Sequence, residues 1–163
     1  TRDLLKKASA GARSKVYRGA AMVVTDIVMF TAYTSRTDPN AVIKTPKPTY
    51  AWLRASPLPK SPSLHRAVAS FTTDYTLALS PLMIHGLPNM NLRMLVSLDH
   101  TIYFHSDFAV DEWYLYEVQS SWAGSNRGLC HGKVYTRDGK LAMTVVQEVL
   151  VRMKKGFRSE AKL

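Results

Sequence analysis

Near its C-terminus the chain runs LAMTVVQEVLVRM, and Leu141, Met143, Val145, Val149, Val151 and Met153 place an apolar residue at nearly every second position. Successive side chains of a strand point to opposite faces, so this alternation predicts one long strand with a buried face. Such a strand must be paired and covered, which commits the end of the chain to a sheet. The exception in the buried row is Gln147. Burying an amide without partners costs about 1–3 kcal/mol, so the position calls for polar groups brought from elsewhere in the fold.

The segments around it supply the rest of that sheet. Asp138-Gly139 marks a tight hairpin between RGLCHGKVYT and the long strand. EWYLYEVQSSWA is aromatic and β-prone, LRMLVSLDHTIYFH alternates as one long strand, and YAWLRAS is a short one. The central helical pattern starts at Ser61-Pro62, an N-cap and first-turn pair. Leu64, Val68, Phe71, Tyr75, Ala78 and Leu82 then recur at spacings of three and four, predicting a helix from about Ser63 to Leu79 with these residues on one face. Pro81 kinks or ends it, and Gly86 closes the region. Residues 20–35 hold one or two short strands, TSRTDPNAVIKTPKPTY is linker-like, and the basic residues 1–20 form a solvated segment. One long helix followed by an antiparallel meander predicts an α+β fold, a curved antiparallel β-sheet wrapped around a central helix.

The 163 residues suit a single domain. The formal charge of +10 favours an anionic partner: a phosphate-bearing ligand, nucleic acid or an acidic membrane. RNA-binding and helix-turn-helix signatures are missing from the sequence, so nucleic acid is not the expected partner. The best membrane candidate, AAMVVTDIVMFTAY, contains Asp26 and falls short of the roughly 18 apolar residues of a span. The single cysteine, Cys130, excludes an internal disulfide, fits a reducing compartment and is expected as a small buried thiol. His65, His85, His105 and His131 show no ligand spacing, so no metal is expected. The final residues, Ala161-Lys162-Leu163, differ from the Ser-Lys-Leu peroxisomal address by one small-for-small exchange. Presented by the polar stretch KKGFRSE, they predict a peroxisomal import receptor as partner and a peroxisomal location.

Three polar residues invite a common site. Asp74 lies three residues after Phe71 and four before Ala78, on their face of the helix. Ser97 sits in the following strand beside mixed neighbours, and Gln147 interrupts the apolar row. A helix crossing a sheet can bring the three together. The set has no strong nucleophile with a base at its side. One carboxylate with two neutral hydrogen-bonding groups suits holding and deprotonating a water. From pattern alone, three unrelated and separately satisfied polar groups fit equally well. Asp99-His100 has the look of an acid–base pair, but adjacent strand residues point to opposite faces. Trp52, Trp113 and Trp122 are expected in core or interface positions.

The stretch WLRASPLPKSPSLHRAVASFTTDYTL, followed by SLDHTIYFHSDFAVDEWYLYEVQSSWAGSNRGLCHGKVYTRDGKLAMTVVQEVLVR, resembles the C-terminal half of the type II acyl-CoA thioesterases. These are double-hotdog enzymes with bacterial and peroxisomal members. The resemblance covers residues 49–153 and rests on motifs in order: Trp-Leu-Arg, the helix ending in a Thr-Asp pair, Ser-Leu-Asp-His, Glu-Trp, Arg-Gly and Gln-Glu. It implies a hotdog fold and hydrolysis of fatty acyl-CoA to free fatty acid and CoA, with neither metal nor organic cofactor. The family's water-binding triad of Asp, Thr or Ser, and Gln falls on Asp74 in TTDY, Ser97 opening SLDH and Gln147 opening the Gln-Glu pair. Val149 stands where glycine usually follows that pair, and ASFTTD replaces a more regular Leu-Ala-Tyr-Ser-Asp.

The layout implied is residues 1–48 as a remnant of an N-terminal hotdog with its proline-rich linker, 49–155 as the C-terminal hotdog, and 156–163 as the targeting tail. The family builds its acyl pocket where two hotdogs meet, so a homo-oligomer is expected. The alternative is a hotdog binding or dimerisation module that has lost catalysis. A hydratase would want a catalytic Asp-His arrangement on a hydration-type helix motif, which the sequence does not offer.

Overall fold

The serine-proline pair starts the central helix. Ser61 has an extended backbone, and its Oγ accepts a hydrogen bond from Leu64 N (3.5 Å), capping helix α1, Pro62–Ala78. The computed structural model describes residues 15–17, 24–30, 48–55, 57–84 and 91–154. Gly86, the proline-rich stretch before residue 48 and the Ala161-Lys162-Leu163 tail lie outside the described residues.

The face that α1 buries is rotated from the one its large side chains suggest. His65, Val68, Ala69, Thr72, Thr73 and Leu77 are buried, whereas Phe71 and Tyr75 are 57% and 67% exposed. Threonine chemistry accounts for this correction. Thr72 Oγ1 donates to Val68 O (2.8 Å) and Thr73 Oγ1 to Ala69 O (2.9 Å), each four residues back. Their hydroxyls are satisfied within the helix, so these small residues pack against the sheet without an orphaned polar group. The rings of Phe71 and Tyr75 are left on the flank. After a C-cap at Leu79, a short helix α2, Ser80–Ile84, contains Pro81.

Eight strands among the described residues form one antiparallel sheet. They are β1 (Lys15–Tyr17), β2 (Val24–Phe30), β3 (Thr49–Ala55), β4 (Leu92–Ser97), β5 (Thr101–Phe104), β6 (Tyr114–Gly124), β7 (Arg127–Tyr135) and β8 (Leu141–Met153). The order is β1-β2-β3-β6-β7-β8-β4, with β5 also paired to β8. Lys15–Tyr17, expected within a solvated segment, instead pairs with β2, and β2 continues the sheet beyond β3. Helix α1 lies across β8, β7 and β4. The alternation of β8 is realised from Met143 to Val151: Met143, Val145, Gln147, Val149 and Val151 are all buried beneath the helix, whereas Leu141 at the start of the row is 37% exposed. Leu53, Tyr114, Tyr116, Cys130 and Val134 complete that core from the neighbouring strands. Gly132 makes room there, because a Cβ at that position would lie 2.6 Å from Tyr116 Cε2 and 2.8 Å from Cζ.

The two hairpins that build this meander differ. Ser125 and Asn126, both with positive φ (50° and 61°), turn β6 into β7 in two residues. Between β7 and β8 the loop is Arg137-Asp138-Gly139, closed by Gly139 N on Thr136 O (2.9 Å), with Gly139 at φ 87°. Asp-Gly is thus part of a three-residue connection.

LRMLVSLDHTIYFH is not one strand. β4 and β5 both pair with β8, but residues 98–100 between them leave the ladder. The edge takes four steps from Ser97 to Thr101 while β8 takes three from Val149 to Val146. This extra residue is a bulge, and it reverses the facing pattern. Leu98 is half exposed, whereas Ile102, of the same parity, packs on the core.

Candidate active site

Each candidate residue is placed by a different element. Gln147 projects from the middle of β8, fully buried, opposite Cys130 of β7. Ser97 ends β4 at the sheet edge and pairs with Val149, so it sits diagonally across the same face from Gln147. Asp74 comes down from α1, half-buried, beside the buried Thr73.

The three side chains meet. Ser97 Oγ donates to Asp74 Oδ1 (2.9 Å). Gln147 Nε2 donates to the same Oδ1 and to Ser97 Oγ (2.7 Å). The result is a closed triangle in which one carboxylate oxygen accepts two hydrogen bonds and the serine hydroxyl both accepts and donates. The groups touch one another directly. Asp74 Oδ2 stays outside the triangle.

The amide of Gln147 is only half provided for. Its nitrogen has two partners, but Oε1 is buried without one among the described residues. Holding the side chain in this orientation therefore costs stability, on the order of 1–3 kcal/mol for an unpaired buried acceptor. Below the site, Tyr116 is fully buried and its hydroxyl donates to Thr73 O (3.4 Å). Burial, with the nearby Cys130, Tyr114 and Asp74, pushes the phenol well above its ordinary range, so Tyr116 stays neutral. Cys130, buried as expected, has its thiol pushed up to about 11 by burial, and the Ser80 and Ser120 side chains oppose that shift. It is not a poised nucleophile at neutral pH.

The other sequence candidates lie elsewhere. Asp99 and His100 do not form a strand pair. They occupy the bulge, where Asp99 Oδ1 accepts from Glu148 N (2.9 Å). Sequence reasoning gave Asp99 no role, because Leu98 and Ile102, both apolar and of the same parity, give no sign in the sequence of the break between them. His65 Nδ1 accepts from Val110 N (3.2 Å), holding the loop before β6 against α1. Among the described residues no group of three His, Cys, Asp or Glu side chains is placed to hold a metal, and no helix is long and apolar enough to cross a membrane. Trp122 is 43% exposed and has the Arg127 guanidinium 5.8 Å from its ring centre.

A long helix held against one face of a curved antiparallel sheet is the hotdog fold of the thioesterases. TesB2 of Mycobacterium marinum, an acyl-CoA thioesterase II, superposes with a TM-score of 0.69 at 28% identity, over 91% of this chain and 60% of that one. The family model described as acyl-CoA thioesterase matches residues 29–150, and the chain belongs to that family. Acyl-coenzyme A thioesterase 8 of Rattus norvegicus is 43% identical over 100 residues, 61% of this chain and 31% of the relative. Peroxisomal acyl-coenzyme A thioester hydrolase 1 of Saccharomyces cerevisiae is 32% identical over 92 residues, 55% of this chain and 26% of the relative. The chain thus spans about a third or less of the length of these two relatives.

Proposed function

We propose that the chain is an acyl-CoA thioesterase that hydrolyses fatty acyl-CoA to a free fatty acid and CoA, with Asp74, Ser97 and Gln147 holding and activating the water. The observation that carries this reading is the closed triangle. Two donors fix Asp74 Oδ1, so the carboxylate cannot rotate freely and Oδ2 is presented as the proton acceptor. The water oxygen attacks the thioester carbonyl carbon as its proton passes to Asp74. The tetrahedral intermediate collapses with cleavage of the C–S bond, and the proton is returned to the departing thiolate. Products are the carboxylic acid and the CoA thiol, and no cofactor is consumed. The formal charge of +10 draws the CoA phosphates to the protein.

The same reading takes residues 49–155 as the catalytic unit, working as a homo-oligomer. Support comes from the edge that β4 and β5 form. Met94, Val96, Leu98 and Tyr103 are 41%, 46%, 50% and 55% exposed along it, and an uncovered apolar edge favours association. The name of the yeast relative supports a peroxisomal location, with an import receptor as partner.

The test is release of free thiol from a long-chain acyl-CoA by the purified chain, with light scattering on the same sample. Turnover by an oligomer supports the reading. A well-folded chain that binds acyl-CoA without releasing thiol would support the binding-module alternative instead.

A further inference from the structure

The chemistry above makes no use of the bulge between β4 and β5, yet it sits against the site. Ser97 is the last residue before it, and Gln147 immediately precedes Glu148 on the opposing strand. Glu148 is bonded across the gap on both sides of its backbone: Leu98 N donates to Glu148 O (2.8 Å), and Glu148 N donates to Asp99 Oδ1 (2.9 Å). A carboxylate oxygen thus accepts the bond that a backbone carbonyl takes in a regular ladder. Asp99 makes this contact from the solvent-exposed surface and is not part of the triangle.

We propose that Asp99 is a positioning residue: by accepting the Glu148 N–H it pins the register of the bulged edge strand and thereby aims Ser97 Oγ at Asp74 and Gln147. The physical need is specific. Among the described residues β4 and β5 are paired only to β8, so the edge is held from one side. A one-residue slip of a strand sends every side chain to the opposite face. For Ser97 that would turn the hydroxyl away from the helix. The paired bonds of Leu98 and Asp99 lie one and two residues from Ser97, and the residue they hold is the neighbour of Gln147. They hold the backbone from which both side chains project. This inference rests on the proposed hydrolase reading for its kinetic consequence, while its structural part stands apart from it.

The experiment compares Asp99→Ala and Asp99→Asn in the full chain, by thioester turnover and by hydrogen exchange of the Glu148 amide and the Gln147 side-chain amide. Asp99→Ala is expected to lower kcat about tenfold with KM within about twofold, since misplacement of a reacting group acts on the chemical step. The Glu148 N–H and the Gln147 amide protons should lose protection together. Asp99→Asn keeps an oxygen acceptor and should recover both kcat and protection. The proposal is overturned if Asp99→Ala keeps wild-type kcat and protection, or if Asp99→Asn is as impaired as the alanine variant. Should the wild-type chain show no turnover, the hydrolase reading fails and exchange alone decides. Protection lost in the alanine variant and kept in the asparagine variant then supports the pin, and unchanged protection refutes it.

Discussion

Gln147 Nε2 lies 2.7 Å from Ser97 Oγ, a contact that ties a fully buried side chain of β8 to an exposed residue of the edge strand β4. Asp74 closes the group from the helix above, so three separate elements share one small set of hydrogen bonds. This explains why an amide interrupts the apolar row of β8. The fold gives up hydrophobic packing at one central position, and leaves Oε1 without a partner among the described residues, to hold a carboxylate in one orientation.

That exchange can be separated into its parts. In Gln147→Met the side chain keeps its length, the unpaired Oε1 is gone, and Asp74 and Ser97 can still bond each other. Unfolding free energy is expected to stay level or rise by about 1 kcal/mol, because an orphaned acceptor has been removed. Thioester turnover should fall about 100-fold or more, because Asp74 loses its second donor. Urea titration and initial rates on one preparation check both. A variant that lost stability and kept its activity would contradict the role given to the amide.

Gly132→Ala should destabilise the fold. Its Cβ would lie 2.6–2.8 Å from the Tyr116 ring, which is fully buried and has nowhere to move. Overpacking of this kind costs about 1–3 kcal/mol. The expected result is a lower urea midpoint with an unchanged m-value.

Alkaline pH should weaken the fold. Burial raises Cys130 from its ordinary 9.0 to about 11 and raises Tyr114 and Tyr116 as well. The folded chain keeps these protons at a pH where the unfolded chain releases them. The Cys130 contribution is therefore full below about pH 9 and is lost as the pH climbs toward about 11, while the tyrosine contributions begin to fall near the ordinary value of 10.0 and go on falling above pH 11. Urea midpoints measured across that window should fall steadily. In a Cys130→Ala variant the fall should be shallower, after allowance for its lower starting stability.

Much of this arrangement could be read in the sequence, and the failures have physical causes. The alternation of β8, the Ser61-Pro62 start of α1 and the burial of Cys130 follow from periodicity, capping and size. The buried face of α1 did not follow from large apolar residues. Thr72 and Thr73 are counted as polar by any pattern, yet they satisfy their hydroxyls inside the helix and pack inward. Gln147 was conspicuous because it broke an apolar row, and Asp74 because it sat among apolar neighbours. Ser97 became visible only through family resemblance, since an edge residue with mixed neighbours leaves no pattern. Asp99 was hidden for a further reason: its side chain replaces a backbone carbonyl, and a sequence shows no trace of which carbonyl is missing.

The central claim is that Asp74 takes the proton of the attacking water. The direct measurement is kcat for a long-chain acyl-CoA with the wild-type chain and with Asp74→Asn, each verified as folded by its thermal transition. An amide of the same size can occupy the triangle but cannot serve as the base. The account predicts a loss of about 100-fold to 10,000-fold in kcat, the range of a general base, with the melting temperature nearly unchanged. Full thioesterase activity in a folded Asp74→Asn protein would contradict it.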